Sequence, residues 1–371
     1  THESLGVIAA SMAQYTEALQ HLHTALSIFE KHDLIGAMSQ VCSNIGAVHS
    51  MRSEYTIATT YFKRALELGD RTGDRRSKLL VTGNLGDIAA RNGDLQEAAS
   101  WLADSLALSE QTSNREHTSW GLVTLAAVQQ DLGDTRGALE NIRRALAAAR
   151  TIKSTTRVGF ALVALANWRV ARALSLSQHH TFSPLTVNRV NRADPECLRL
   201  LHSARAAIER ALSLTGIDTE TECTGQVVLT AIYYQLDDLE SARHQAIKAL
   251  EETRLSEMVH LIGRAQQLLG EIQAASGLEN EADSSFEEAL STFKEHGLRL
   301  DYARALHRYG NSLLARSLNV KNTRAVSTSL IRTSFEYLRE ARDIFATCQA
   351  GLDLQWVEQT LTDPTFFYEK A

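Results

Sequence analysis

The stretch GNLGDIAARNGDLQEAASWLADSL, Gly83 to Leu106, decides the fold. Apolar residues return at helical spacing on both sides of Asn92-Gly93-Asp94, as in Leu95, Ala98, Ala99, Leu102 and Leu106, so the stretch reads as two amphipathic helices joined by a turn. Its small residues recur through the chain. Gly86 is preceded at forty-residue steps by Gly46 and Gly6 and followed by Ala126 and Ala166, and after an interruption the column resumes at Thr230, Gly270 and Gly310. A second column lies twelve residues further on (Ala18, Ala58, Ala98, Ala138, Ala242, Ala282), and a third seven beyond that (Ala25, Ala65, Ser105, Ala145, Ala249, Ala289). Three columns in one register predict an array of stacked helical hairpins. Small residues are needed where two helices cross closely, because a large side chain there would push the hairpin open.

The pattern Leu-Gly, then Ala, then Ala-Leu at these separations resembles the tetratricopeptide repeat. The step is longer than the usual unit of about 34 residues. It resembles the long-helix variant of spindle-orientation adaptors, kinesin light chains and the sensor arms of bacterial STAND regulators related to the maltose regulator. The family's proline after the second helix is missing, with Asp70 and Glu110 at that place. A HEAT or armadillo array fits the unit length but not the three columns. The resemblance implies an all-α, right-handed α-solenoid superhelix of about eight hairpins.

First helices are expected over 1–12, 34–51, 74–91 and 115–132, and second helices over 15–30, 54–71, 94–111 and 134–150, with the Asp after each Gly capping the next helix. Repeats one to four and the first helix of repeat five fill 1–177. An insertion over 178–194 interrupts repeat five, and Asp194-Pro195 restarts the chain as N-cap and first-turn proline. That insertion is open to two readings: a surface loop, or a segment folded back through Phe182, Leu185, Val187 and Val190. The remaining repeats occupy 195–362, with a shorter insertion near 319–328 and a capping helix near Gly351–Leu361 anchored by Trp356; residues 363–371, with Phe366 and Phe367, form a tail. The opening at Thr1, five residues before Gly6, suggests a fragment of a longer protein.

The chain has 371 residues, 44% hydrophobic and 22% charged, and its 3 prolines all fall outside the expected helices. A net charge of −6 gives no general attraction to nucleic acid or to an anionic membrane. The 4 cysteines are scattered, which suits a reducing, cytoplasmic setting, and no apolar run reaches the roughly 18 residues that span a bilayer. No P-loop, G-x-S-x-G or H-E-x-x-H motif is present, and His179-His180 has no acidic or Cys partner at ligand spacing. No enzyme activity, cofactor or metal is therefore expected.

By the family resemblance, the first helices line a concave groove that holds a protein or peptide. Asn44 and Asn84, each just before the Leu-Gly position, resemble the Asn that holds a ligand backbone in peptide-binding members; an amide offers both a donor and an acceptor. The carboxylate-clamp subclass departs here, since Glu3, Val7, Asn44, Leu80 and Asn84 supply only Asn44. Trp120 offers a stacking surface and Asn167 lies beside the repeat-five column. Toward the C-terminus, Arg264, Gln267, Arg304, His307, Arg308 and Asn311 form either an anion or acidic-peptide site or a solvated set paired with Glu271 and Asp301. The acidic run Glu279, Glu281, Asp283, Glu287 and Glu288 reads as an outer face. The function these features imply is a non-catalytic interaction module within a larger bacterial regulator. The alternative is the small-molecule-sensing arm of a STAND-type ATPase or transcriptional regulator.

Overall fold

The computed structural model describes residues 1–12, 14–180, 189–318 and 324–362. They form seventeen α-helices and no strand, an all-α solenoid of helical hairpins, in two compact units, Thr1–Leu125 and Ala126–Ala371.

Unit 1 holds the hairpins α1 (His2–Ser11) with α2 (Tyr15–Lys31), α3 (Ile35–Met51) with α4 (Tyr55–Thr72), and α5 (Arg75–Asn92) with α6 (Leu95–Gln111), followed by the first turns of α7 (Arg115–Leu132). These bounds lie within one residue of the sequence expectation. The register of small residues has a direct steric cause. A Cβ added at Gly86 would sit 2.7 Å from Cγ of Leu102, and one at Gly46 would sit 2.9 Å from the Phe62 ring. Leu102 and Phe62, both fully buried on second helices, thus occupy the volume that a side chain on the first helix would need. First helices also stack on first helices, α1 on α3 and α3 on α5, which makes one continuous wall.

Turn chemistry follows the sequence with one exception. Gly73 and Gly93 are left-handed, at φ +69° and +82°, and end α4 and α5. Asp74 accepts from the amides of Arg76 and Ser77 and caps α5. Asp94 stands at the N-cap of α6, but its side chain makes no capping hydrogen bond.

In unit 2, the end of α7 pairs with α8 (Thr135–Thr151), where Asn141 donates to Gln129 at 2.8 Å. Then come α9 (Thr155–His180) with α10 (Pro195–Leu212), α11 (Thr219–Gln235) with α12 (Leu239–Leu255), α13 (Val259–Ala275) with α14 (Glu279–Glu295), and α15 (Arg299–Ser317) with α16 (Arg324–Cys348). Asp194 caps α10 through the Glu196 amide, with Pro195 in the first turn. Helix α9 runs 26 residues and takes in 178–180 of the expected insertion; α16 runs 25 residues and takes in 324–328 of the shorter one. The core of repeat five gathers Leu162, Ala166, Leu201, Ile208 and Ile232, with Trp356 of α17 (Gly351–Leu361) among them.

Candidate functional site

Periodicity puts each first helix against its own second helix on one side and against neighbouring first helices on the flanks, so its remaining face meets solvent. In unit 1 that face carries Asn44 and Asn84 one repeat apart, both half-buried. Val7, 47% exposed, and Leu80, 41% exposed, lie on the same wall. Asn44 Nδ2 donates to Glu3 Oε1 at 3.4 Å, and burial raises the Glu3 carboxyl above its ordinary range. The result is a strip of amide and apolar groups open to water.

Trp120 does not offer a free stacking surface. A Cβ at Gly83 would come within 2.9 Å of its ring, so the indole fills the notch left by that glycine, with the His117 ring 5.0 Å away. His117 in turn meets Ser105 Oγ at 2.8 Å.

The C-terminal set in unit 2 is not an open anion site. Arg264 donates twice to Asp301 Oδ1, at 3.1 and 2.9 Å. Gln267 donates to Glu271 at 3.0 Å, and burial raises the Glu271 carboxyl, opposed by Arg308 and by that hydrogen bond. Arg304 is shared between Asp353, at 3.0 and 2.8 Å, and Asp131, at 2.5 Å. Part of each of these three side chains still reaches solvent. His307 and Asn311, expected on an accessible wall, are each 3% exposed. Large neighbours, including the Phe345 ring edge-on to His307 at 6.2 Å, close over that side of α15. Asn167, by contrast, is exposed.

His307 Nε2 is buried without a hydrogen-bond partner. Burial, helped by Arg308 and opposed by Asp353, pushes the imidazole down to about 3, so the native form is neutral. An unfolded chain takes up that proton below about 6.5. The stability held by the neutral ring is therefore lost as pH falls from about 6.5 toward 3, at up to about 1.4 kcal/mol per pH unit. His307→Phe keeps an aromatic ring against Phe345 and removes the titration, while Asp131 and Glu271 are common to both proteins and cancel. Urea unfolding should show the variant gaining about 2 kcal/mol on wild type between pH 6.5 and pH 5. A pH-independent difference would refute the assignment.

Sequence reasoning did not identify Asp131 or Asp353 as the partners of Arg304, and no local pattern reveals a contact between residues 173 positions apart. It left open whether the repeat-five insertion is a surface loop or folds back, and the structure anchors its C-terminal end. Arg189 donates to the Tyr234 carbonyl at 3.0 Å, lies 4.6 Å from the centre of that ring and pairs with Asp237 at 2.7 Å. The Val190 amide donates to Gln235 at 2.8 Å, and the Val190 side chain is buried in the repeat-five core. This end of the insertion is folded back. Phe182, Leu185, Val187, the side chains of His179 and His180, and the tail with Phe366 and Phe367 lie outside the described residues.

Among the described residues, no group of three or more His, Cys, Asp or Glu is placed to hold a metal ion, and no helix is long and apolar enough to cross a membrane. All four cysteines are buried thiols.

The tetratricopeptide-repeat family profile matches residues 37–111 and 77–151. No curated protein sequence matches the chain. Among solved structures, the chain is similar to the Rap conjugation gene regulator of the plasmid pLS20 in complex with the Phr* peptide, at 11% identity over 85% of this chain and 78% of that one, with a TM-score of 0.60. It is also similar to a Rap protein complexed with Competence and Sporulation Factor, at 11% identity over 97% of this chain and 95% of that one, with a TM-score of 0.58. At that identity the likeness is one of fold, and it extends the repeat architecture along nearly the whole chain. The repeat register, the steric role of its small residues and the family match agree: residues 37–151 are tetratricopeptide repeats, and the helical hairpins on either side of them share that fold.

Proposed function

We propose that the chain is a non-catalytic interaction module that binds a peptide or a peptide-like segment of a protein along its first-helix wall, as the regulatory part of a larger cytoplasmic protein. The observation that carries this reading is the strip in unit 1. Asn44 and Asn84 recur at the repeat spacing with exposed Val7 and Leu80 on the same wall. Amides at a fixed interval suit an extended backbone, which presents donors and acceptors whatever its sequence, and exposed apolar side chains supply contact area. The complexes formed by the two Rap proteins support the reading, since one holds the Phr* peptide and the other Competence and Sporulation Factor.

The test is to pan a displayed peptide library against the full chain and to measure the selected peptides on Asn44→Ala/Asn84→Ala. Alanine is preferred to aspartate because a carboxylate at 44 would face Glu3. Loss of two hydrogen bonds of about 1 kcal/mol each predicts affinity lower by tenfold or more, with unchanged helicity by circular dichroism. Selected peptides that bind both proteins equally would remove unit 1 from the site.

A further inference from the structure

Helix α17 does not continue the hairpin pattern. It is a single helix of 11 residues whose buried side chains, Asp353, Trp356, Val357 and Thr360, form one stripe. A helix that merely closed an array would rest on the last hairpin. This one contacts α15 and α16 but also reaches back to earlier repeats. Its first residue lies against the end of α7, where a Cβ at Gly351 would sit 3.1 Å from the Leu132 carbonyl. Its Trp356 is buried in the core of repeats five and six, with Leu162, Leu201 and Ile232. Its Asp353 accepts two hydrogen bonds from Arg304, which Asp131 also holds.

The first-helix side of unit 2 therefore already contains an amphipathic helix held by one carboxylate and one indole. Several features make this occupant separable. An isolated helix of this length is marginal in water, so its helicity depends on docking. It has no side-chain N-cap and is joined to α16 through Gln349, a non-glycine residue at φ +57°. When it leaves, Arg304 keeps Asp131, so the cation is not stranded.

We propose that α17 is a displaceable internal occupant of unit 2, and that the segment replacing it is an acidic amphipathic helix presenting a carboxylate to Arg304 and a large aromatic side chain to the place of Trp356. This rests on the peptide-binding reading and adds a second site with its own chemistry, gated by the chain itself. A tethered helix acts at an effective concentration of about millimolar. An outside helix at micromolar concentration is thus excluded until α17 is loosened.

The probe is a fluorescein-labelled synthetic peptide with the sequence of residues 351–361, titrated into the full chain and followed by anisotropy. Wild type is expected to bind it at least tenfold more weakly than Trp356→Ala, which loosens the tethered copy. Gly351→Val, which crowds the Leu132 carbonyl and leaves Arg304 and Trp356 untouched, should also gain binding. A peptide with Asp353→Asn should bind Trp356→Ala at least tenfold more weakly, and Arg304→Gln in that background should bind neither peptide. Hydrogen exchange on wild type should show α17 amides opening well before those of α15. The proposal is overturned if α17 and α15 exchange together, if both loosened variants remain helical without gaining binding, or if wild type and variants bind the probe equally. Library peptides that still depend on Asn44 and Asn84 would then leave the unit 1 reading standing, so the two failures are distinguishable.

Discussion

Phe286→Ala is expected to lower the unfolding free energy of unit 2 by about 3–5 kcal/mol. Phe286 is fully buried on α14, stacked on Tyr309 with ring centres 4.7 Å apart, and packed with Leu313. It also lies against Gly270, where even a Cβ would be 3.0 Å from the ring. The glycine that admits the ring offers no side chain to refill the space when the ring is removed, so the cavity term adds to the lost transfer term. In a solenoid each repeat depends on its neighbours, so amides of α13 to α16 should lose protection first. Urea denaturation with hydrogen exchange checks this. A loss below about 1 kcal/mol would mean that the α14–α15 contact is far looser than described.

Gly86→Leu is the converse experiment in unit 1. The position has no room even for a methyl group, since an added Cβ would meet Leu102 Cγ at 2.7 Å and the Leu102 backbone nitrogen at 3.2 Å. A leucine must force α5 and α6 apart, and the cost should reach or exceed the upper end of the usual overpacking range of about 1–3 kcal/mol. Gly86→Ala should cost less, because repeat four carries Ala126 at the equivalent position against buried Ile142. A thermal melt ranking wild type above Gly86→Ala above Gly86→Leu is the expected result. A leucine variant as stable as wild type would refute the steric account of the repeat register.

Both substitutions test the part of the protein that was legible in the sequence. The column Gly6, Gly46, Gly86 and the bulky residues facing it, Leu22, Phe62 and Leu102, sit at a constant interval. Their contact is local, made within one hairpin, and periodicity reports such contacts directly. Helix bounds, the left-handed glycines and the Asp194-Pro195 start were readable for the same reason: each is set by neighbours a few residues away.

The candidate site was legible only in part. Asn44 and Asn84 stand where their register puts them, because a residue's face on a first helix follows from the same period. Trp120 could not be placed that way, since its ring direction depends on the missing Cβ at Gly83 on another helix. The arginines of α13 and α15 were visible as charges, but whether they faced a ligand or were already paired depended on Asp301, Asp131 and Asp353.

The sequence by itself determined the repeat, the hairpins and the faces of their helices, because short-range periodicity and turn chemistry suffice for these. Only the tertiary structure decided which charges of unit 2 are neutralised, that the end of the repeat-five insertion packs on α11, and that α17 reaches back to α7 and to the core of repeats five and six. Each of these depends on segments far apart in the chain being brought together, and a pattern that repeats every forty residues carries no record of such meetings.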